Sequence, residues 1–435
     1  MSERADTPPG VAANIAHLGK GYRIYALVIL TIVYVLNYVD RQILAILLPG
    51  IKAELDLNDT QLGFLFMTFG IFYATLGIPI AMLADRTNRR NVVAAALTIF
   101  SLMTAACAFV ANYIQLVILR VLVGVGEAGS SPPSHSMIAD MFPPKARATA
   151  LAFFSLGVNI GLLIGLFAGG WLAENYGWRT TFIIVGLPGV LMALVVLFTV
   201  KEPERGASDG VAPGTEETPA IGEVVSFLWS QKAFRHIALG SALIAFVGYA
   251  GVAWVPTFLA RSFGMSLGEI GMMLGLVIGF AGGAGTFGAG FFADKLGHKD
   301  VRWNMWLVAL AGVVAFPFGV ALYLTDSKTA AILLFIAPAA AGAIFTGPAI
   351  AMTQGLAKLR MRATASAILF FILNLIGLGA GPQVVGMLSD FFAASAGEES
   401  VRYALLAITP LGLWGALHFF LAAKTLEEDL ARAKA

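Results

Sequence analysis

Residues 81–90 read AMLADRTNRR, and residues 290–299 read GFFADKLGHK. Each stretch sets an Ala-Asp pair and several basic residues at the end of an apolar run of about 20 residues, the length that crosses a bilayer as a helix. Because a cluster of charges is costly within the hydrocarbon core, each copy marks a point where the chain leaves the membrane. The recurrence of this loop indicates that a membrane-spanning unit has been duplicated.

The repeat extends beyond these loops. RATALAFFSLGVNIGLLIG begins at Arg147, and RATASAILFFILNLIGLGAG begins at Arg362, so that Asn159 pairs with Asn374. Both correspondences fall at the same place in a unit of six apolar runs. The sequence therefore predicts an all-α integral membrane protein with two pseudo-symmetric six-helix bundles, built as parallel repeats.

The composition of the chain agrees with a membrane protein. Of its 435 residues 58% are apolar and 12% are charged, and the mean hydropathy is +0.82, whereas a soluble domain carries about 25% charge. A net charge of +2 does not favour a nucleic-acid partner. The single cysteine, Cys107, excludes an intramolecular disulfide, and no His and acidic cluster indicates a metal site.

Twelve apolar runs are long enough to span the membrane, and we number them spans 1 to 12. The first six are predicted at residues 24–48, 62–84, 92–110, 113–139, 148–173 and 181–200. The second six are predicted at residues 237–260, 270–293, 303–324, 330–353, 363–388 and 403–423.

A polar segment divides the two sets of spans. Residues 201–220, KEPERGASDGVAPGTEETPA, have little to bury and indicate a flexible linker. Residues 221–234, IGEVVSFLWSQKAF, fit either a short amphipathic helix on the membrane surface or a continuation of the linker. We therefore expect a bundle at 1–200, a cytoplasmic linker at 201–234 and a second bundle at 235–435.

Lysine and arginine predict the orientation. With both termini in the cytoplasm, 21 of the 28 Lys and Arg residues lie on the inner side and 5 on the outer side, the bias that cytoplasmic loops show. The polar N-terminus and the long first run do not resemble a removable signal peptide. We expect a multi-pass protein of the plasma (inner) membrane.

Four ionisable residues lie within spans 1 and 4, where such groups are costly and usually functional. They are Asp40, Arg41, Arg120 and Glu127. Neighbours on a helix point about 100° apart, so Asp40 is expected to neutralise Arg120 while Arg41 turns into the cavity near Glu127. Glu127 is the predicted proton carrier, with Asp40 second, and Arg41 is the predicted anion site; the alternative is a static buried network.

The second half differs from the first. No interior of spans 7 to 11 contains Lys, Arg, Asp or Glu, and polar capacity comes from groups such as Tyr249, Trp254 and Asn374. A cavity between the halves would have one ionic wall and one apolar-aromatic wall, which suits an anionic amphiphile. The alternative is that the apolar half packs only on itself.

Glycine recurs every fourth residue on spans 5 and 8 and gives each a smooth face. In a two-bundle transporter these faces are expected to form the interface on which the halves rock, the alternative being close packing within one bundle. The stripes are Gly157, Gly161, Gly165 and Gly169, and Gly271, Gly275, Gly279 and Gly283.

The loop at 81–90 resembles the signature G-x-L-A-D-R-x-G-R-R/K of the major facilitator superfamily, although Ala81 and Asn88 replace its two glycines. NYVDR at 37–41, ADRTNRRN at 84–91 and RVLVGVGEAG at 120–129 are similar to the spinster branch, whose animal members export sphingosine-1-phosphate and related lysolipids. NYxDR is also similar to organic-anion symporters of the superfamily.

The resemblance implies a cytoplasmic gate and further binding residues. Asn37 and Tyr38 belong to the NYVDR motif. The full set of predicted substrate residues is Arg41, Asn37, Tyr38, Glu127, Tyr249, Trp254 and Asn374. In the gate, Asp85 is expected to lie at the N-terminus of span 11 and Arg89 to reach Asp140. The predicted gate residues are Asp85, Arg86, Arg89, Asp140, Asp294 and Lys295.

Together the sequence predicts a proton-coupled secondary transporter that works by alternating access, exports an anionic amphiphile and functions as a monomer. A small organic-anion:proton symporter is the alternative within transport. A lipid or nutrient sensor is the alternative outside it, and no nucleophile-base pair favours an enzyme. No cofactor beyond the coupling proton is expected.

Overall fold

The computed structural model describes residues 19–206 and 219–434, and within them it is helical with no strand. Ten of these helices are long and apolar enough to cross a membrane. The two longest each contain a glycine with positive φ, Gly177 (76°) and Gly397 (55°), that turns the chain back. Each therefore provides two spans, and the predicted twelve-span, all-α membrane fold is confirmed.

The N-terminal half holds spans 1 to 6. Their helices are Lys20–Leu55, Asp59–Arg86, Arg89–Ala106 with the 3₁₀ turn Cys107–Phe109, Tyr113–Ala128 with Ser131–Met141, and Pro144–Thr199, which forms spans 5 and 6.

The C-terminal half holds spans 7 to 12, preceded by the surface helix Ile221–Ser230. Their helices are Lys232–Phe263, Leu267–Val277 with Ile278–Gly282 and Gly283–Gly297, Trp303–Leu324, Lys328–Ile344 with Thr346–Gly355, Arg362–Ile372 with Leu373–Ala380 and Gly381–Ala396, and Ser400–Lys434. The segments Ile278–Gly282 and Leu373–Ala380 are π-helical and interrupt spans 8 and 11.

Local sequence explains several helix ends. Asn58 and Gln61 form a capping box at the start of span 2, and Ser266 and Glu269 form one at the start of span 8. Span 4 breaks after Ala128, because Pro132 and Pro133 have no backbone N–H to continue its hydrogen bonds and fit the first turn of a new helix. The break lies next to Glu127.

We call the face of the bundle that carries residues 86–89, 201–206 and 297–303 the linker end, and the opposite face the far end. At the far end one apolar cluster contains side chains of both halves, among them Leu62, Trp254 and Val385. Toward the linker end the apolar side chains form two clusters, one within the C-terminal half and one in the N-terminal half that also includes Leu378 of span 11. The halves are therefore joined at the far end and splayed at the linker end.

Contacts at glycine residues show where along spans 2 and 11 the two halves separate. A methyl group added at Gly63 would meet the backbone of Pro382 at 2.8 Å, and one at Gly70 would meet Gly379 at 2.8 Å. Within the described part of the chain, a methyl group at Gly77, nearer the linker end, meets nothing within 4 Å. Spans 2 and 11 are thus in backbone contact in their far-end portions and apart beyond them.

The glycine stripe of span 5 corrects a prediction. It packs on span 1 inside the N-terminal half, with Gly157 against Thr31 and Gly161 against Val35 and Tyr38. Gly165 and Gly169 pack on Gln42 and Ile43 of the same span. The physical reason is that span 5 turns its small-residue face to the bulky residues of span 1, so the stripe serves close packing within one bundle.

A different glycine of span 5 meets span 8. Gly170 lies against Gly271, where an added methyl group on Gly170 would be 3.0 Å from the Gly271 Cα. Gly275 and Gly279 face Leu163 of span 5, and Gly283 has no neighbour within 4 Å of such a methyl group in the described residues. The span 8 stripe therefore does lie at the interface between the halves, and it leaves that interface toward the linker end.

Candidate functional site

Spans 1 and 4 bring Arg41 and Glu127 together. The Arg41 Nε atom lies 2.6 Å from Glu127 Oε2, and the side chains are 8% and 0% exposed. The two charges lie on different helices, Arg41 about six turns into the span 1 helix and Glu127 just before the break in span 4, so the pair depends on how these helices pack. A charge-assisted hydrogen bond of this length is strong where water is excluded.

Asp40 and Arg120 form a second, looser contact beside the first. Arg120 Nη1 is 3.9 Å from Asp40 Oδ2, whereas Asp40 Oδ1 accepts a 2.6 Å hydrogen bond from Thr104 Oγ1. The Arg120 Nε and Nη1 atoms have no hydrogen-bond partner among the described residues. Arg120 therefore faces Asp40 as a charge rather than as a closely bonded partner.

The two carboxyl groups are neighbours. Asp40 and Glu127 are close enough to interact electrostatically. Glu127 Oε1 and Asp40 Oδ2 are buried and lack a hydrogen-bond partner within the described part of the chain. Each of the two carboxyl groups therefore has one buried oxygen that no group among the described residues engages by a hydrogen bond.

Aromatic rings surround the Arg41 guanidinium. Its Cζ atom is 4.2 Å from the Tyr73 ring centroid, 5.0 Å from Tyr38 and 5.6 Å from Phe69. Tyr249 of the C-terminal half lies near Arg41, Tyr38 and Tyr73. The site thus has one ionic wall from the N-terminal half and an aromatic contribution from the other half.

Asn37 fixes the break in span 4 to span 1. Its Nδ2 atom donates to Ser130 Oγ at 3.2 Å, and Ser130 Oγ donates to the Glu127 carbonyl at 2.9 Å. Asn37 is fully buried. In this conformation Asn37 therefore orients the helix end that carries Glu127, and Tyr38 rather than Asn37 faces Arg41.

Two predicted substrate residues are not brought to this site. Trp254 is 0% exposed and donates its Nε1 hydrogen to the Pro382 carbonyl at 2.8 Å, inside the shared apolar cluster of the far end. Asn374 donates to Phe370 of its own helix at 2.9 Å. The Trp254 bond joins spans 7 and 11, which pack closely at the far end, whereas the Asn374 amide is engaged within its own helix.

The predicted gate residues divide into two groups at the linker end. Arg89 is buried and lies 2.5 Å from Asp140, 2.7 Å from Glu202 and 2.7 Å from the Pro203 carbonyl. All these partners belong to the N-terminal half and its continuation. The second group, Asp85, Arg86, Asp294 and Lys295, is exposed and forms no ion pair in the described residues, as the splayed linker end requires.

Sequence reasoning missed a charged contact at the far end. Asp59 of span 2 receives two bonds from Arg261 of span 7, at 2.7 and 2.8 Å, and one from Lys52 at 2.5 Å. Ser389 Oγ donates to it at 2.6 Å, and Asp390 accepts from the Asp59 and Thr60 backbone amides at 3.0 and 2.7 Å. We call Asp59, Arg261, Ser389 and Asp390 the far-end latch.

Only some of the site residues that sequence reasoning missed have a recognisable pattern in the sequence. Tyr34, whose ring centroid lies 5.2 Å from that of Tyr38, was missed, although it shares one face of span 1 with the predicted Tyr38 and Arg41 at i, i+4 and i+7. Tyr73, Thr104 and Asp59 lie on spans 2 and 3 with no local pattern, and only the packing of the helices brings them to the site or the latch. Metal chemistry is not indicated, since the described residues hold no group of three His, Cys, Asp or Glu residues suited to a metal ion.

Twelve spans in two repeats, joined at one end and with a buried pair of charges between spans 1 and 4, define a membrane transporter rather than an enzyme. The chain belongs to the Major Facilitator Superfamily, whose sequence model matches residues 30–382.

Known relatives of the chain are also transporters. The chain is 35% identical over 408 residues to an MFS-type efflux pump of Mycolicibacterium smegmatis, covering 92% of this chain and 93% of that protein. It is 26% identical to protein spinster homolog 1 of Xenopus laevis, covering 96% and 84%. The crystal structure of a bacterial homolog to the human lysosomal transporter Spinster, inward-facing and unoccupied, superposes with a TM-score of 0.84 at 31% identity, covering 94% and 99%. The predicted resemblance to the spinster branch is confirmed.

Proposed function

We propose that this transporter couples the export of an anionic amphiphile to the movement of protons by alternating access. The observation that carries the proposal is the buried pair of Arg41 and Glu127, 2.6 Å apart between spans 1 and 4. A cation and a carboxylate that neutralise each other in a site without water can each be released only if another charge takes its place. The substrate anion and the proton are those replacements.

The cycle follows from competition for Arg41. When Glu127 takes a proton, it no longer balances Arg41, and the guanidinium is free to bind an anionic head group through its planar fork. When the substrate leaves, Glu127 loses its proton and pairs with Arg41 again. The free carboxyl oxygens of Asp40 and Glu127 offer a place where the proton is held, and Asp40 is the second carrier.

The surroundings of Arg41 favour an amphiphile. Tyr38 and Tyr73 cover the guanidinium, and Tyr249 approaches it from the C-terminal half. The interiors of spans 7 to 11 have no charged side chain, so a hydrocarbon tail would meet apolar groups while the head group meets Arg41. Lysolipid-like and sphingosine-phosphate-like anions fit this description.

The proposed orientation in the membrane also decides which state of the transport cycle this structure represents. The excess of Lys and Arg supports a cytoplasmic linker end and cytoplasmic termini, and the plasma (inner) membrane is the proposed location. The halves are splayed at that end, so the state is inward-facing, with the far-end latch closed. The exposed Asp85 and Asp294 are then gate residues in their open arrangement. The site lies within one chain, and a monomer is the proposed unit.

The decisive experiment is counterflow in proteoliposomes. A panel of lysolipids, sphingosine phosphates and small organic anions is tested with and without a pH gradient. We expect uptake of labelled lysolipid phosphate against an unlabelled internal pool, and a change in net flux when the gradient is reversed. Transport of small organic anions alone would favour the symporter, and binding without transport would favour a sensor.

A further inference from the structure

A second apolar and basic surface lies at the linker end of the C-terminal half, away from Arg41. It contains a cavity of about 450 Å³ between the loop that joins spans 10 and 11 and the end of span 12, lined by Lys358, Leu359, Arg362 and Leu430. Arg360 lies in the 3₁₀ turn Leu359–Met361, next to Leu359. Lys358, Arg360 and Arg362 are all exposed, and none forms an ion pair in the described residues.

Nearby acidic groups are engaged elsewhere. Glu428 pairs with Arg432 at 2.6 Å, and Asp429 is buried and accepts a 2.8 Å hydrogen bond from the Ala233 amide. Glu427 faces Arg302 at 3.6 Å. The positive charge of the turn 358–362 is therefore not balanced by the end of span 12.

An apolar surface borders these cations. Leu359 is 78% exposed, although it lies between two basic residues. The surface helix Ile221–Ser230 buries Val224 and Leu228 in the C-terminal half and leaves Ile221, Val225 and Trp229 exposed on one face. It is attached to the same turn, since Lys358 Nζ lies 5.4 Å from the Phe227 ring centroid and Gln231 donates to the Leu356 carbonyl at 2.9 Å.

We propose that this surface binds an anionic phospholipid, whose phosphate head group lies in the cavity at Lys358 and Arg362 with Arg360 in the adjoining turn, and whose chains lie against Leu359 and the exposed face of the surface helix. A membrane lipid would contact both the cations and the apolar surface, whereas a free phosphate ion makes no use of the exposed apolar side chains. The turn 358–362 directly precedes the predicted start of span 11 at residue 363, where lipid head groups are expected. The proposal does not depend on the identity of the transported substrate.

The repeat provides a comparison within the chain. By the correspondence that aligns Arg147 with Arg362, Lys145 occupies the place of Arg360. Lys145 is exposed as well, but no surface helix among the described residues precedes its span. The N-terminal counterpart has a basic residue without the adjoining apolar face, and we expect it to contribute little to lipid binding.

The test is a lipid titration of the purified full-length protein in detergent. Phosphatidylglycerol, phosphatidylcholine and inorganic phosphate are added to wild type, to the triple variant K358Q/R360Q/R362Q and to the matched control K20Q/K145Q/K299Q, which removes three exposed linker-end lysines outside the cavity. Bound lipid is counted by native mass spectrometry. We expect phosphatidylglycerol to bind wild type and control alike, and to bind the triple variant at least about tenfold more weakly.

The proposal would be overturned if both triple variants lost phosphatidylglycerol equally, or if wild type bound phosphatidylcholine as tightly as phosphatidylglycerol. If inorganic phosphate bound as tightly as the lipid, the surface would be a phosphate site instead. If the triple variant does not fold, R360Q is compared with K145Q. A second measurement uses phosphatidylglycerol with brominated chains, which should quench tryptophan fluorescence less in W229F than in wild type. No difference between these two proteins would contradict the placement of the chains.

Discussion

Asp59 of span 2 and Arg261 of span 7 form a two-point ion pair across the far end, with Nη1 to Oδ2 at 2.7 Å and Nη2 to Oδ1 at 2.8 Å. The pair joins the two halves of the chain at the end opposite the linker. Asp390 adds a second link, since its carboxylate caps the first amides of span 2, where the helix dipole favours an anion. A state open at the far end must break both contacts.

The first prediction concerns this latch. Replacing Arg261 with Gln leaves Asp59 in place without its two-point partner and should shift the population toward the state open at the far end. The loss is about 2 kcal/mol, or roughly thirtyfold in the equilibrium, because truncating one member of a largely buried charge pair costs on this order. Distances between spin labels at A111C and E398C should lengthen in detergent and in nanodiscs.

The matched control is R179Q. Arg179 pairs with Glu54 at 2.8 Å near the same end, but both residues belong to the N-terminal half. This variant should leave the distance distribution as in wild type. If R179Q and R261Q have the same effect, or if R261Q has none, the latch does not hold the halves together.

The second prediction concerns orientation. Ser226 is exposed on the surface helix at the linker end, and Glu398 is exposed at the far end. If the excess of basic residues marks the cytoplasmic side, S226C should react with an impermeant maleimide only in inverted vesicles and E398C only in intact cells. The buried Cys107 should give little background. The opposite labelling pattern would reverse the orientation and the inward-facing assignment.

The third prediction separates two glycines of span 5. Gly170 contacts Gly271 of the other half, so Gly170→Leu should keep the halves apart at the far end and lengthen the distance between labels at A111C and E398C. Gly161 instead faces Tyr38, from which an added methyl group would be only 2.5 Å away. Gly161→Leu should therefore weaken substrate binding by displacing Tyr38.

Gly283→Leu serves as the control, because a side chain there has open space in the described structure. It should change neither distance nor affinity. If Gly161→Leu opens the far end as much as Gly170→Leu does, the original prediction of a rocking face on span 5 would be restored.

The glycine stripes show what a sequence pattern can and cannot specify. A repeat of glycine at every fourth position predicts a smooth helix face, and the structure has such faces on spans 5 and 8. The pattern does not name the partner, because span 1 and span 8 are both neighbours of span 5. Only the packing of the whole bundle decides that Gly161 meets Tyr38 while Gly170 meets Gly271.

The charged residues were easier to predict than their surroundings. Arg41 and Glu127 stand out because charges are rare in apolar spans, and the 100° between adjacent helix positions separates Arg41 from Asp40. Tyr73 and Thr104 come from other spans, so no spacing within span 1 or span 4 could place them. Asp59 is a charged residue at a span end, where charges are common, and its latch partners are about 200 and 330 positions away.

The fourth prediction concerns the coupling proton. Glu127→Gln mimics the protonated carboxyl group and removes the titrating group that faces Arg41. Transport and the balance between the two open states should no longer depend on pH, whereas the folded protein should be retained because the side chain keeps its size. Label distances at the linker end, between A148C and A363C, are measured from pH 5 to pH 9. Asp40→Asn is the comparison, and a pH response that survives only in Glu127→Gln would make Asp40 the main carrier.

The last prediction concerns the cation that receives the substrate. Arg41 is paired with one carboxylate and covered by Tyr38 and Tyr73, so an anionic head group must compete with Glu127 for it. Arg41→Lys keeps the charge but loses the planar two-point fork, and should weaken binding of a lysolipid phosphate by about tenfold. Arg41→Ala should abolish measurable binding.

Competition between Glu127 and the substrate anion for Arg41 also predicts effects of pH on affinity that a purely structural role of these residues does not predict. In wild type the affinity should rise as the pH falls, because protonated Glu127 releases Arg41; in Glu127→Gln it should be high and independent of pH. Arg120→Ala is the matched control, since Arg120 faces Asp40 at 3.9 Å and contacts the Phe69 ring, rather than Tyr38 or Tyr73. It should reduce expression or thermal stability more than affinity. Calorimetric titration that gives Arg41→Ala the affinity of wild type, with Arg120→Ala unable to bind, would assign the head group to Arg120.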